Sequence, residues 1–95
     1  MNLIEKTLYL GGWADTSPLL EYTLKSADIQ TILTVMESSI PQDRRIDGIT
    51  YHWIQSYDSF DDILTHFPRA YDIIDGCITS GTGILVHCGP TALGG

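Results

Sequence analysis

Basic residues are scarce in this 95-residue chain: five Lys and Arg stand against twelve Asp and Glu, for a net charge of −7. That balance lacks the basic footprint that nucleic acid or an anionic lipid surface demands, so neither nucleic acid nor membrane is expected as a partner. Long apolar runs are missing too, and none approaches the ~20 residues of a transmembrane helix. The opening residues, Met1-Asn2-Leu3-Ile4-Glu5-Lys6, hold an early acid and no extended apolar stretch, unlike a secretory signal. An intracellular location is therefore expected. Cysteine is limited to Cys77 and Cys88, which in a reducing compartment are expected as thiols rather than a disulfide. Cys77, His66, His87 and Cys88 do not make the paired spacings of a zinc site, so no metal is expected. No repeat, low-complexity tract or linker interrupts the chain.

What is present is a globular composition, 43% hydrophobic and 18% charged, which argues against disorder. The length allows one domain at most, and a chain of this size buries only ~60–70% of its unfolded surface.

The apolar segments alternate between two periods. Residues 7–10 read as a strand stopped by Gly11-Gly12. Asp15 or Thr16 is expected to cap a helix with Pro18 in its first turn, running through Leu19, Leu20, Tyr22 and Leu24 to about Ala27. Residues 29–36 read as a strand that Ile32, Leu33 and Val35 make apolar on both faces. Residues 37–47 read as a loop or irregular helix, and residues 49–54 as a third strand rich in β-formers. A polar turn over 57–62 carries Asp58, Asp61 and Asp62. Ile63 and Leu64 are expected to pack just before a helix capped near Thr65. Its buried face is expected to hold Phe67, Ala70, Tyr71, Ile74 and Ile78, at steps of three and four. Pro68 is tolerated there, because a first-turn N–H has no intrahelical partner. Gly81 and Gly83 close the helix, and residues 83–88 form a short buried strand. Strands alternating with helices imply parallel pairing and a layered α/β fold, whose sites lie beyond the carboxyl ends of the strands.

Cys88 ends the most buried strand and directly precedes a glycine, where a nucleophile would be placed. The plain alternative is a small hydrophobe completing that strand. Asp58, between Ser56 and Ser59, suits an Asx-turn as well as an acid. His87 suits a satisfied core histidine at a strand end as well as a group acting on its neighbour. Trp13 and Trp53 read as core or rim aromatics.

Val86-His87-Cys88-Gly89 resembles the start of the H-C-x-x-G-x-x-R signature of the cysteine-dependent protein tyrosine phosphatases. Leu8-Tyr9-Leu10-Gly11-Gly12 is similar to the opening strand and glycine turn of their dual-specificity branch, and residues 29–35 to its second strand segment. Asp58 stands thirty residues before Cys88, about where that branch places its general acid. The resemblance covers residues 7–89. It implies a central, mostly parallel sheet flanked by helices. It also implies a phosphoprotein substrate, and no cofactor. In that family the cysteine thiolate attacks phosphorus, an Asp protonates the leaving oxygen, and loop amides with an Arg hold the phosphoryl oxygens. Carried over residue by residue, Cys88 is the nucleophile, Asp58 the acid, His87 the group orienting the nucleophile, and Gly89 part of the phosphate-binding loop. A rhodanese-like sulfurtransferase would also place a Cys at a strand end, but the L-Y-L-G-G segment and the Asp58 spacing favour the phosphatase.

After Gly89 the match stops. Thr91 falls where the loop glycine is expected, Gly94 where the Arg is expected, and Gly95 where a Ser or Thr follows it. Arg44 and Arg45 in a distant loop, and Arg69 on the helix, are not expected to substitute. Residues 1–95 thus read as the N-terminal portion of one catalytic domain with its C-terminal helical layer missing. One face of the strands at 29–36 and 83–88 should then be exposed. The alternative is a catalytically inactive fragment, either with a binding or regulatory role or as an unstable product with no function of its own.

Overall fold

The computed structural model describes residues 1–55 and 68–88, apart from the side chains of Asn2 and Cys88. The expected turn over 57–62, the packing of Ile63 and Leu64, the cap at Thr65 and Phe67 lie outside the described residues.

Five strands form one sheet: β1 (Asn2–Glu5), β2 (Leu8–Gly11), β3 (Ile29–Met36), β4 (Thr50–Gln55) and β5 (Gly83–Cys88). Their spatial order is β1-β2-β5-β3-β4. Strand β1 pairs antiparallel with β2, and the other three pairings are parallel, which is the mixed, mostly parallel sheet expected. Two strands match the sequence reading end to end, β3 and β5, because each carries apolar residues on both of its faces and follows a turn. The reading missed β1. Glu5-Lys6 breaks its apolar run, and the hairpin closes with Lys6 in the left-handed region at φ 48°. As an edge strand β1 leaves Leu3 and Ile4 exposed.

The segment read as one helix from Asp15 or Thr16 is three pieces. Two 3-10 turns, Trp13–Thr16 and Pro18–Leu20, precede α1 (Glu21–Ser26). Pro18 has no N–H to continue a helix, so capping shifts to Ser17, whose Oγ accepts from Leu19 N at 3.2 Å. Asp15 instead accepts from Gly12 N at 3.0 Å, and Thr16 Oγ1 donates to Trp13 O at 2.8 Å. Leu19 and Tyr22 face solvent, and Leu24 is the buried residue of α1. Residues 37–49 hold one 3-10 turn, Gln42–Arg44, and seat Ile40 and Ile46 in the core.

Helix α2 (Pro68–Ser80) buries Ala70 and Ile74, with Ile73, Cys77 and Ile78 partly buried beside them. Tyr71 corrects the expected face. It lies one helical step from that stripe, stands 57% exposed, and walls a cavity of about 320 Å³ with Glu5, Lys6, Leu8, Ile74, Asp75 and Ile78. The helix ends in a Schellman turn: Gly81 N donates to Ile78 O, Thr82 N donates to Cys77 O, and Gly81 has φ +77°.

Two apolar clusters sandwich the sheet. Leu33, Val35, Ile84 and Val86 meet Ala70 and Ile74 of α2 on one face. Ile32 and Leu85 meet Leu24 of α1, with Ile40 and Ile46, on the other. The expectation of one exposed face is therefore overturned. Ile32, Leu33, Val35, Ile84, Leu85 and Val86 are at most 1% exposed. Each such side chain contributes about 1.5–3 kcal/mol by leaving water.

Candidate active site

All four parallel strands end along one edge, at Gly11, Cys88, Met36 and Gln55. This is the edge where an α/β sheet places its chemistry. The ladder between β3 and β5 runs to Val35↔Cys88, so Cys88 is the last paired residue of a central strand. The ladder to β2 ends one residue earlier, at Gly11↔His87.

His87 is 1% exposed and lies beside Thr34 in the β3–β5 register. Its Nε2 is 2.8 Å from Thr34 Oγ1, in a hydrogen bond whose two side chains are both buried. The face of Trp13 stands against it, with ring centroids 6.1 Å apart and planes at 57°. Gly11 gives the Asp15 side chain room against β2. A Cβ there would lie 2.6 Å from Asp15 Oδ2, within the turn that carries Trp13.

Arg44, in the loop after β3, reaches across to the Trp13 turn. Its guanidinium stacks 4.2 Å from the Trp13 ring centroid. Its Nη2 donates to Trp13 O at 3.3 Å and to Thr16 Oγ1 at 3.1 Å. Arg44 thus holds the Trp13–Thr16 turn from outside, and Trp13 in turn bounds His87. Local sequence carries no signal for this stack, because its partners are 28 and 31 residues apart. Arg45 stacks on Tyr51 and donates to Ile40 O at 3.2 Å, so it too braces the loop after β3.

Of the residues singled out by sequence, the structure brings His87 and the Cys88 main chain to the edge of the sheet. Asp58, Asp61, Asp62, His66 and Gly89 lie outside the described residues. Strand β4, which leads toward Asp58, ends at this same edge at Gln55. Cys77 lies away from the strand end on α2, with Sγ 3.5 Å from Thr31 Oγ1. Among the described residues no group of three or more His, Cys, Asp or Glu is placed to hold a metal. His52 on β4 titrates below its ordinary value, first because burial disfavours the imidazolium and second because Arg69 repels it.

No protein-family model matches the chain. It is 35% identical over 89 residues to Dual specificity protein phosphatase 1B of Arabidopsis thaliana, covering 93% of this chain and 51% of that protein. The crystal structure of DUSP15 superimposes with a TM-score of 0.75 at 30% identity, over 94% of this chain and 55% of that one. Human DUSP28 shares the fold, with a TM-score of 0.71 at 17% identity, over 90% of this chain and 57% of that one. The chain thus spans about half the length of the relatives it matches. Over that shared half, the chain is similar in sequence and in fold to the dual-specificity branch of the cysteine-dependent protein tyrosine phosphatases.

Proposed function

We propose that residues 1–95 form the N-terminal, nucleophile-bearing portion of a dual-specificity phosphatase domain, acting inside the cell on phosphotyrosine and on phosphoserine or phosphothreonine in proteins. The observation that carries this reading is the delivery of His87-Cys88 by a doubly buried strand to the carboxyl edge of a parallel sheet, with His87 anchored on Thr34. The Cys88 thiolate would attack phosphorus, forming the S–P bond as the P–O bond to the substrate breaks. Asp58 would protonate the departing oxygen. As carboxylate it would then take a proton from water, whose oxygen displaces Cys88 and releases inorganic phosphate. Acid catalysis of this kind supplies about 10²–10⁴-fold. The amide of Gly89 would begin the set of N–H donors facing the phosphoryl oxygens. Hydrolysis of an aryl phosphate by the purified chain, with Cys88→Ser as blank, tests the reading. Turnover lost in the variant supports it, and equal rates overturn it.

A second reading rests on Thr91 and Gly94, which stand where the family carries its loop glycine and its Arg. Without that guanidinium the charge on the equatorial oxygens lacks its bidentate partner. The chain would then act as a catalytically silent binding or regulatory piece. A tungstate titration separates the two, since a silent piece binds the oxyanion very weakly.

A further inference from the structure

We propose that Thr34 is a positioning residue for the strand end, one that holds the His87 imidazole in a single orientation and through it sets the reactivity of Cys88. The inference rests on the reading of Cys88 as the reactive thiol. It adds a residue on a different strand, 53 positions away in sequence.

The first argument is the cost of a hydroxyl at this place. Thr34 is 1% exposed, and its neighbours along β3 are Leu33 and Val35, both buried in apolar contacts. A valine would fill the same volume with no polar atom to satisfy. A buried hydroxyl is unfavourable unless it is hydrogen-bonded, and this one meets His87 Nε2 at 2.8 Å. The second argument is register. Thr34 and His87 are direct partners in the parallel ladder, so the backbone itself sets their side chains beside each other. The third is confinement. Trp13 stands 6.1 Å from the ring and is itself held by Arg44, so the imidazole cannot swing away from the hydroxyl. Nε2 is committed to Thr34 Oγ1, which fixes the plane of the ring next to the end of β5. The bond made at one imidazole nitrogen decides what the other can do.

Two variants separate this role from packing. Thr34→Val keeps the shape and removes the hydroxyl, whereas Thr34→Ser keeps the hydroxyl. Cys88 alkylation by iodoacetamide is followed against pH, with the Cys88 peptide resolved from the Cys77 peptide by mass spectrometry. Thr34→Val should slow alkylation at pH 7 about threefold to tenfold, the size of one buried hydrogen bond, and move the profile along the pH axis. Thr34→Ser should restore both. Long-range ¹⁵N spectra of the ring give a second readout: the His87 ring shifts should move in Thr34→Val and return in Thr34→Ser. A folded Thr34→Val with unchanged profile and ring shifts overturns the proposal. Loss of aryl phosphatase activity as a premise would be distinguishable, because the thiol profile does not depend on turnover.

Discussion

Gly83 opens the strand that delivers Cys88, and replacing it with Ala should loosen the whole arrangement. A Cβ on Gly83 would lie 2.5 Å from Asp28 O, 2.9 Å from Asp28 C and 3.0 Å from Ile29 Cα. Ordinary carbon contacts sit at about 3.5–4.0 Å, so the two chains must part by about 1 Å. All three obstacles are backbone, and the backbone there has little give. Gly83 N donates to Asp28 O at 2.8 Å, Ile29 pairs with Gly83, and Asp28 already occupies φ 58°. Overpacking of this kind costs about 1–3 kcal/mol, and weakening one ladder hydrogen bond adds about 0.5–1.5 kcal/mol. Restricting the unfolded chain returns about 0.4–1 kcal/mol. The net loss should be about 2–3 kcal/mol, a large share of the 5–15 kcal/mol typical of a native domain. Gly76 is the control. It lies inside α2 with nothing within 4 Å of its would-be Cβ, so Gly76→Ala should stabilise by about 0.5–1 kcal/mol. Urea denaturation followed by circular dichroism reads both. A Gly83→Ala midpoint equal to or above that of the parent, at unchanged slope, would refute the steric argument.

Two further perturbations test the surroundings of the site. Arg44→Ala removes the guanidinium from Trp13 and both hydrogen bonds to the 13–16 turn, and should cost about 1–2 kcal/mol. Arg44→Lys should recover less than half of that, since an ammonium lacks the planar fork. Trp13 emission, read in a Trp53→Phe background, should shift to the red with Arg44→Ala, and an unmoved spectrum would count against the clamp. His52 predicts a pH effect. Its folded pKa lies below the ordinary 6.5, so just below pH 6.5 the unfolded chain binds the proton more readily than the fold. Stability should therefore be full above that value and fall as pH drops through the window beneath it. His52→Gln should flatten the step, and Arg69→Ala should shrink it; a step that survives His52→Gln would assign it elsewhere.

Strands β3 and β5 were legible in sequence because their period is that of a strand buried on both faces, and each is preceded by a residue that turns the chain. Gly83 and the Schellman turn at Gly81 mark the β5 start in the same way. The parallel pairing was legible through the alternation of periods, whereas the spatial order of the strands was not. The site was legible as a strand end carrying His87 and Cys88. What lay beyond reach depends on contacts distant in sequence. The Arg44–Trp13 stack joins residues that carry no shared local pattern. Coverage of both sheet faces also escaped, because Ile40 and Ile46 sit in a segment whose polar neighbours hide their burial. Tyr71 was misplaced for a related reason: a step of one residue turns a helical side chain by about 100°, enough to move it from core to rim.

The two ladders of β5 end at different residues, and that offset bears on how a reactive group can be both fixed and presented. His87 is paired on both flanks, to Gly11 of β2 and to Thr34 of β3. Cys88 is registered against Val35 alone, one residue past the end of the β2 ladder, where Gly12 has already left the sheet toward the Trp13 turn. Precision therefore accumulates at His87, which is held by two backbones, one hydroxyl and one indole. At the very next residue the pairing to β2 has ended. A nucleophile inside the ladder would be fixed but shielded by both neighbouring strands. One in a loop would be reachable but poorly placed, and catalytic groups must be held within about 0.5 Å of their working geometry. On the proposed reading of Cys88 as the nucleophile, the first residue beyond a doubly paired anchor would meet both demands. This is why substitutions at Gly11, Thr34 or Gly83, none of which need touch a substrate, should register at Cys88.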